Sequence, residues 1–152
     1  MLASKQDTSG PVFHTIGHST LELDSFLELL HKAQIERVVD VRRLPGSRRY
    51  PQFNQESLSK SLENAGIEYR HCMGLAGRRS RQPVDPEVNS GWQNRSFHNY
   101  ADYCLQPEFT AAFARLLESG RQQRVAILCA EAVWWRCHRR IITDYLLAAG
   151  QR

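Results

Sequence analysis

Residues 12–41 read VFHTIGHSTLELDSFLELLHKAQIERVVDV, and this stretch decides the architecture. Val12 to Ile16 forms a short strand-like run that Gly17-His18-Ser19 punctuates. Leu23, Phe26, Leu27 and Leu30 then recur at three- and four-residue steps until about Gln34, which puts them on one face of a helix. Ser19-Thr20-Leu21-Glu22 matches the S-x-x-E capping box, so the helix is expected to open there, with Ser19 accepting from a first-turn amide. Val38-Val39-Asp40-Val41 is a second buried strand. Strand, helix and strand in succession make a β-α-β unit with parallel strands and a right-handed crossover.

Working outward, the pattern repeats. Arg42 to Asn54 is a loop by its Pro45-Gly46 and Pro51, after which Leu58, Leu62 and Ala65 mark a helix face. Gly66 is placed just past that helix end, and Ile67 to Cys72 offers a third strand. Residues 73–96 carry glycines and prolines without periodicity and read as a long loop. Phe97, Tyr100, Ala101 and Cys104 predict a helix ending before Pro107, and a second helix runs from about Glu108 to a closing Gly120. Val125 to Cys129 is the most apolar strand and belongs in the sheet centre. Ile141, Ile142, Tyr145, Leu146 and Ala149 face the core from a last helix. The expected fold is α/β: an open, mostly parallel sheet of four to five strands with helices on both faces, a Rossmann-like three-layer sandwich.

At 152 residues the chain fits one domain, here residues 12–150 behind a flexible tail at 1–11. The apolar fraction of 41% and charged fraction of 24% exclude a disordered or collagenous chain. No apolar run spans a membrane, and Met1 to Pro11 has no signal-peptide core, so a cytoplasmic location is expected. Four cysteines without a C-x-x-C pair speak for reduced thiols rather than a disulfide framework, a zinc ribbon or a thioredoxin-type pair.

The net charge of +4 conceals a bias: the 20 basic residues are three lysines and 17 arginines. Guanidinium forks suit phosphates and carboxylates. Ten of the arginines fall in segments following strands two, three and four, which codon bias would not arrange.

In an open parallel sheet the ligand crevice lies outside the carboxyl ends of the strands. Those ends carry Gly17-His18-Ser19, Asp40-Val41-Arg42-Arg43, His71-Cys72 followed by Arg78 and Arg79, and Cys129-Ala130-Glu131. The densest segment is CAEAVWWRCHR, residues 129–139. A thiol ending a buried strand before a helix N-terminus is set up for nucleophilic chemistry, so Cys129 is the candidate nucleophile. Six residues separate Cys129 from Arg136, one more than the cysteine-phosphatase signature has, so that phosphate cradle would not close in the same way.

Asp40, Glu131, His18 and His138 are the acid and base candidates; the competing reading of the two carboxylates is ion pairing with Arg42, Arg136 or Arg139. Ser19, Arg42, Arg43, Arg78, Arg79, Arg136 and Arg139 are the anion-binding candidates, helped by a helix N-terminus near Ser19. Cys129, Glu131, Cys137 and His138 include metal donors, but the neighbours Cys137 and His138 diverge by about 100° on a helix. A metal held by these donors, giving a metal-dependent variant of an enzyme, stays an alternative that is not favoured on that ground; no organic-cofactor motif is present, and the cofactor stays open.

The ordered set GHST (17–20), DVRRLPGSR (40–48), LAGRR (75–79) and CAE with CHR (129–139) resembles the bacterial family catalogued as domain of unknown function 488, from Thr15 to Gly150. The resemblance implies a pocket built from His18, Ser19, Asp40, Arg42, Cys129, Glu131, Cys137, His138 and Arg139. Relatives tend to have a proline where this chain has Val133-Trp134-Trp135, and to continue past the last helix into another strand.

Two functional readings follow. One is an enzyme, a hydrolase or transferase using acid/base or cysteine-nucleophile chemistry on a phosphate-bearing, nucleotide or nucleic-acid substrate. The other is a non-catalytic nucleic-acid or nucleotide-binding module whose arginine loops contact phosphates. Substrate, reaction and oligomeric state stay open at this level.

Overall fold

The computed structural model describes residues 12–46, 49–131 and 137–151. The proposed tail at 1–11, and Arg136 among the anion-binding candidates, lie outside the described residues. Four strands form one parallel sheet in the order β1-β4-β2-β3: β1 is Phe13–Gly17, β2 Arg37–Asp40, β3 Glu68–His71 and β4 Val125–Cys129. Five α-helices accompany them: α1 Leu23–Lys32, α2 Gln55–Asn64, α3 Arg95–Tyr103, α4 Pro107–Gln122 and α5 Arg139–Ala148.

The apolar run VAILC makes β4 central, where every residue is buried. It pairs on one side with β1, Gly17 opposite Cys129, and on the other with β2, Asp40 opposite Leu128. The strands of the opening β-α-β unit are therefore parallel, as expected, but β4 lies between them. Side chains of β4 alternate between the two faces. Ala126 and Leu128 pack with Phe26 and Leu30 of α1 and Leu58 and Leu62 of α2. Val125, Ile127 and Cys129 pack with Tyr100 of α3, Phe109 and Leu116 of α4, and Ile142 of α5.

This division positions the site. The connections after β1 and β2 lead to helices on one face, and those after β3 and β4 to helices on the other. β4 neighbours both β1 and β2, so the chain parts into opposite layers around its carboxyl end, which is where such a sheet opens a crevice.

Three expectations are corrected. Ser19 does not cap α1: its backbone is left-handed, with φ 44°, and its amide donates to the Ala130 carbonyl at 2.9 Å. The helix opens four residues later behind Glu22, which makes no side-chain cap bond, so no helix N-terminus lies at Ser19 to hold an anion. Gly120 sits inside α4 rather than closing it; a Cβ there would come 2.2 Å from the Phe13 ring, so close packing of β1 on the helix requires glycine. The long loop is also less loose than its composition suggests. Tyr100 and Tyr103 of α3 donate to the Leu75 and Gly74 carbonyls, both at 2.7 Å, and Asn89 donates to Asp102 at 2.9 Å. Gly66, with φ 79°, follows α2 as expected.

Candidate active site

A cavity of about 630 Å³ opens at the carboxyl end of β4. His18, Ser19, Arg42, Arg43, Arg78, Cys129, Glu131, Cys137 and His138 all line it. Asp40 and Arg139 stand behind the wall, and Arg79 is turned away from it.

Asp40 is wholly buried. One of its carboxylate oxygens accepts from the Arg42 amide at 3.0 Å and from Arg42 Nε at 2.9 Å. The other accepts from Arg42 Nη2 at 2.8 Å and the Tyr69 hydroxyl at 2.6 Å. Burial, then the Asp40 charge, pushes the Tyr69 hydroxyl far above its usual range, so it remains a donor. The two Asp40 oxygens thus face donors rather than the cavity, and Asp40 with Arg42 makes a closed, buried ion pair. This corrects both assignments: Asp40 is not presented as an acid or base, and Arg42 contributes its chain to the wall while its guanidinium is held by Asp40.

Arg79 is likewise turned inward. Its guanidinium lies 3.8 Å over the Tyr103 ring, and it donates to the carbonyls of Ala76, at 3.0 Å, and Met73. Arg43 and Arg78 are exposed on the cavity wall, Arg43 Nη1 reaching the Arg78 carbonyl at 3.4 Å.

His18 is buried and stacked on Phe53, ring centroids 4.5 Å apart. Its Nδ1 donates to the Ser19 carbonyl at 3.0 Å, which fixes the neutral tautomer with the lone pair on Nε2. Burial lowers its pKa, so the neutral, proton-accepting form prevails at neutral pH. Glu131 is exposed at the rim. Its backbone carbonyl, rather than its carboxylate, joins the centre, accepting from Arg139 Nη2.

At the centre are two thiols, Cys129 Sγ and Cys137 Sγ, 3.0 Å apart. The Cys137 sulfur accepts from the Arg139 amide at 3.3 Å and from Arg139 Nε at 3.2 Å. Arg139 is only 1% exposed, and no carboxylate of the described residues pairs with it. A buried guanidinium requires a counter-charge, and the sulfur it touches is the group able to supply one. Hydrogen bonds from Cys129, His138 and Arg139 pull the Cys137 thiol down to about 4, while the same contact together with burial pushes Cys129 up. The negative charge of the contact is therefore favoured on Cys137 and its proton on Cys129. The downward pull on a thiol, expected for Cys129 at the strand end, thus falls on Cys137, eight residues later and just before α5. The sequence clue was the arginine two positions beyond Cys137, which the first turn of α5 folds back onto it.

His138 donates from Nε2 to the Val41 carbonyl at 3.0 Å and lies against the Tyr100 ring. Gly77 permits this: a Cβ there would be 2.7 Å from His138 Nδ1. Gly77→Ala is expected to displace the ring, lowering stability by about 1–3 kcal/mol and slowing alkylation of Cys137. Thermal denaturation with rate measurements at Cys137 checks both. Among the described residues no cluster of three or more His, Cys, Asp or Glu donors is arranged for a metal ion.

Fold and site together define an open parallel α/β domain with a cysteine, histidine and arginine cavity at the carboxyl edge of its central strand. The chain belongs to the family described as "Domain of unknown function DUF488", whose model matches residues 22–146. No curated protein matches it. The crystal structure of a "Putative phosphatase (DUF442)" from Shewanella putrefaciens CN-32 is similar at a TM-score of 0.48 and 17% identity, over 99% of this chain and 77% of that one. No described helix is long and apolar enough to cross a membrane.

Proposed function

We propose that this protein is a cysteine-dependent enzyme acting on a small anionic, phosphate-bearing substrate, with Cys137 as nucleophile. The observation that carries the reading is the buried Arg139 guanidinium set on the Cys137 sulfur at 3.2 Å, beside an open cavity. A structural ion pair alone would not need its anion to be a thiolate on a cavity wall.

Arg43 and Arg78 orient the anion. The Cys137 sulfur attacks the electrophilic phosphorus; the S–P bond forms, the ester bond breaks, and the leaving oxygen takes a proton from water. His18 Nε2 then accepts a proton from the water that releases phosphate and restores the thiolate. The non-catalytic reading is less well supported, because Arg42, Arg79 and Arg139 are held within the fold and do not form a continuous basic surface.

Alkylation by iodoacetate and by iodoacetamide tests the site without knowledge of the substrate. Iodoacetate, carrying a carboxylate, is expected to label Cys137 about 30-fold faster, relative to iodoacetamide, than it labels a simple thiol, from roughly 1 kcal/mol for each of the two cations Arg43 and Arg78. Arg43→Ala with Arg78→Ala should remove that preference, inorganic phosphate should protect, and Cys137→Ser should abolish turnover of phosphomonoester probes. Equal relative rates with the two reagents, or unchanged turnover in Cys137→Ser, would sink the proposal.

A further inference from the structure

The mechanism above leaves Cys129 without a chemical role, although it faces the same cavity as Cys137 and its sulfur is in contact with the nucleophile. We infer that Cys137 and Cys129 form one redox-active dithiol, Cys137 attacking a small hydroperoxide and Cys129 resolving the product as an intramolecular disulfide. The inference rests on the assignment of Cys137 as the thiolate, and adds to it a modification site and the class of oxidant that acts there.

Three observations carry it. The sulfurs are 3.0 Å apart, so bond formation needs them to approach by only about 1 Å. Both line the cavity while Cys129 is nearly inaccessible, so the oxidant must be small enough to enter. The contact is asymmetric, with thiolate character on Cys137 and the proton on Cys129, the division of labour an attacking and a resolving thiol require.

The electrons balance as follows. The Cys137 thiolate attacks the terminal oxygen of the hydroperoxide; an S–O bond forms, the O–O bond breaks, the sulfur is oxidised by two electrons and the alkoxide takes a proton from water. Cys129 then attacks the Cys137 sulfenic acid; the S–S bond forms, the S–O bond breaks, and the departing hydroxide leaves as water with the Cys129 proton. Two small thiols, oxidised to their own disulfide, restore the pair.

The fold gives the oxidised state a particular weakness. The disulfide removes the negative charge that faces Arg139, leaving the buried guanidinium, among the described residues, with the Glu131 carbonyl. Arg139 therefore favours the reduced form, so the disulfide should be readily reduced and function as a reversible state.

The experiment treats the protein with stoichiometric hydrogen peroxide, blocks remaining thiols, and maps peptides by mass spectrometry. The expected result is a Cys129–Cys137 disulfide that dithiothreitol reverses, with Cys72 and Cys104 unmodified, since burial raises both of those thiols. Cys129→Ser should accumulate sulfenic acid at Cys137, captured by a 1,3-diketone probe, and Cys137→Ser should give neither product. Sulfinic acid at Cys137 in the wild type while Cys129 remains a free thiol would overturn the inference. Iodoacetate labelling separates the two proposals: rapid labelling with no disulfide defeats only the dithiol, whereas a Cys137 that labels no faster than Cys72 defeats the nucleophile as well.

Discussion

Asp40→Asn is expected to lower stability by about 3–5 kcal/mol, the loss typical of stripping one partner from a buried ion pair. Asparagine has nearly the same shape, so the loss would not come from a cavity. It comes from Arg42, whose guanidinium makes a two-point contact with Asp40 at 2.9 and 2.8 Å and would keep its charge with no carboxylate opposite. For a domain of this size the melting temperature should fall by on the order of 10 °C. Tyr69→Phe is the comparison: it removes one hydroxyl donating to the same carboxylate at 2.6 Å and leaves the ion pair intact, so its loss should be about 1.5–3 kcal/mol. Denaturant titration of both variants decides the matter. If Asp40→Asn is no worse than Tyr69→Phe, the pair is dispensable and Asp40 is open again to a catalytic role. Cys137 alkylation should persist in folded Asp40→Asn protein, because Asp40 stands behind the cavity wall rather than on it.

Much of this architecture was legible because it depends on periodicity. Leu23, Phe26, Leu27 and Leu30 marked α1, VAILC marked the central strand, and Gly66 marked the end of α2. What was not legible depends on partners distant in sequence. Nothing within residues 12–41 indicates that β4 will separate β1 from β2, since that order is settled by which apolar faces fill the sheet centre. Ser19 had the residue pattern of a helix cap, yet its amide is taken by the Ala130 carbonyl, which arrives with β4. The arginine excess shows the same limit. Composition supplies guanidinium groups but not their counterparts, and Arg42, Arg79 and Arg139 meet a carboxylate, an aromatic ring with two carbonyls, and a cysteine sulfur respectively. Arg43 and Arg78 remain on the cavity wall. The strand-end rule located the cavity correctly and singled out Cys129, because an apolar strand ending in cysteine is visible in sequence. The downward pull on the Cys137 thiol is not, because it depends on how the fold sets Cys129, His138 and Arg139 around that sulfur.

Arg139→Met is expected to change the pH profile of Cys137 more than its rate at any single pH. In the wild type the thiol is held down to about 4, so its alkylation should be nearly level from pH 5 to pH 8. Methionine fills similar volume without charge and leaves the contacts from Cys129, His138 and the residue-139 amide in place; the Cys137 thiol should then rise, and its alkylation should begin to fall at a higher pH than in the wild type. A raised pKa also makes the remaining thiolate more nucleophilic, which offsets part of the lost ionisation. The difference between the two proteins should therefore be largest at the acid end of the range and small near pH 8. Stability supplies a second, independent reading. A depressed pKa contributes stability in full above the unfolded value, near 9.0, and the contribution declines as pH falls until it is gone below about 4. The stability difference between wild type and Cys137→Ser should therefore narrow as pH drops from 9 to 4, and Arg139→Met should flatten that slope. A level alkylation profile that survives in Arg139→Met would mean that another group holds the thiolate, and the assignment of Arg139 as its counter-ion would fail.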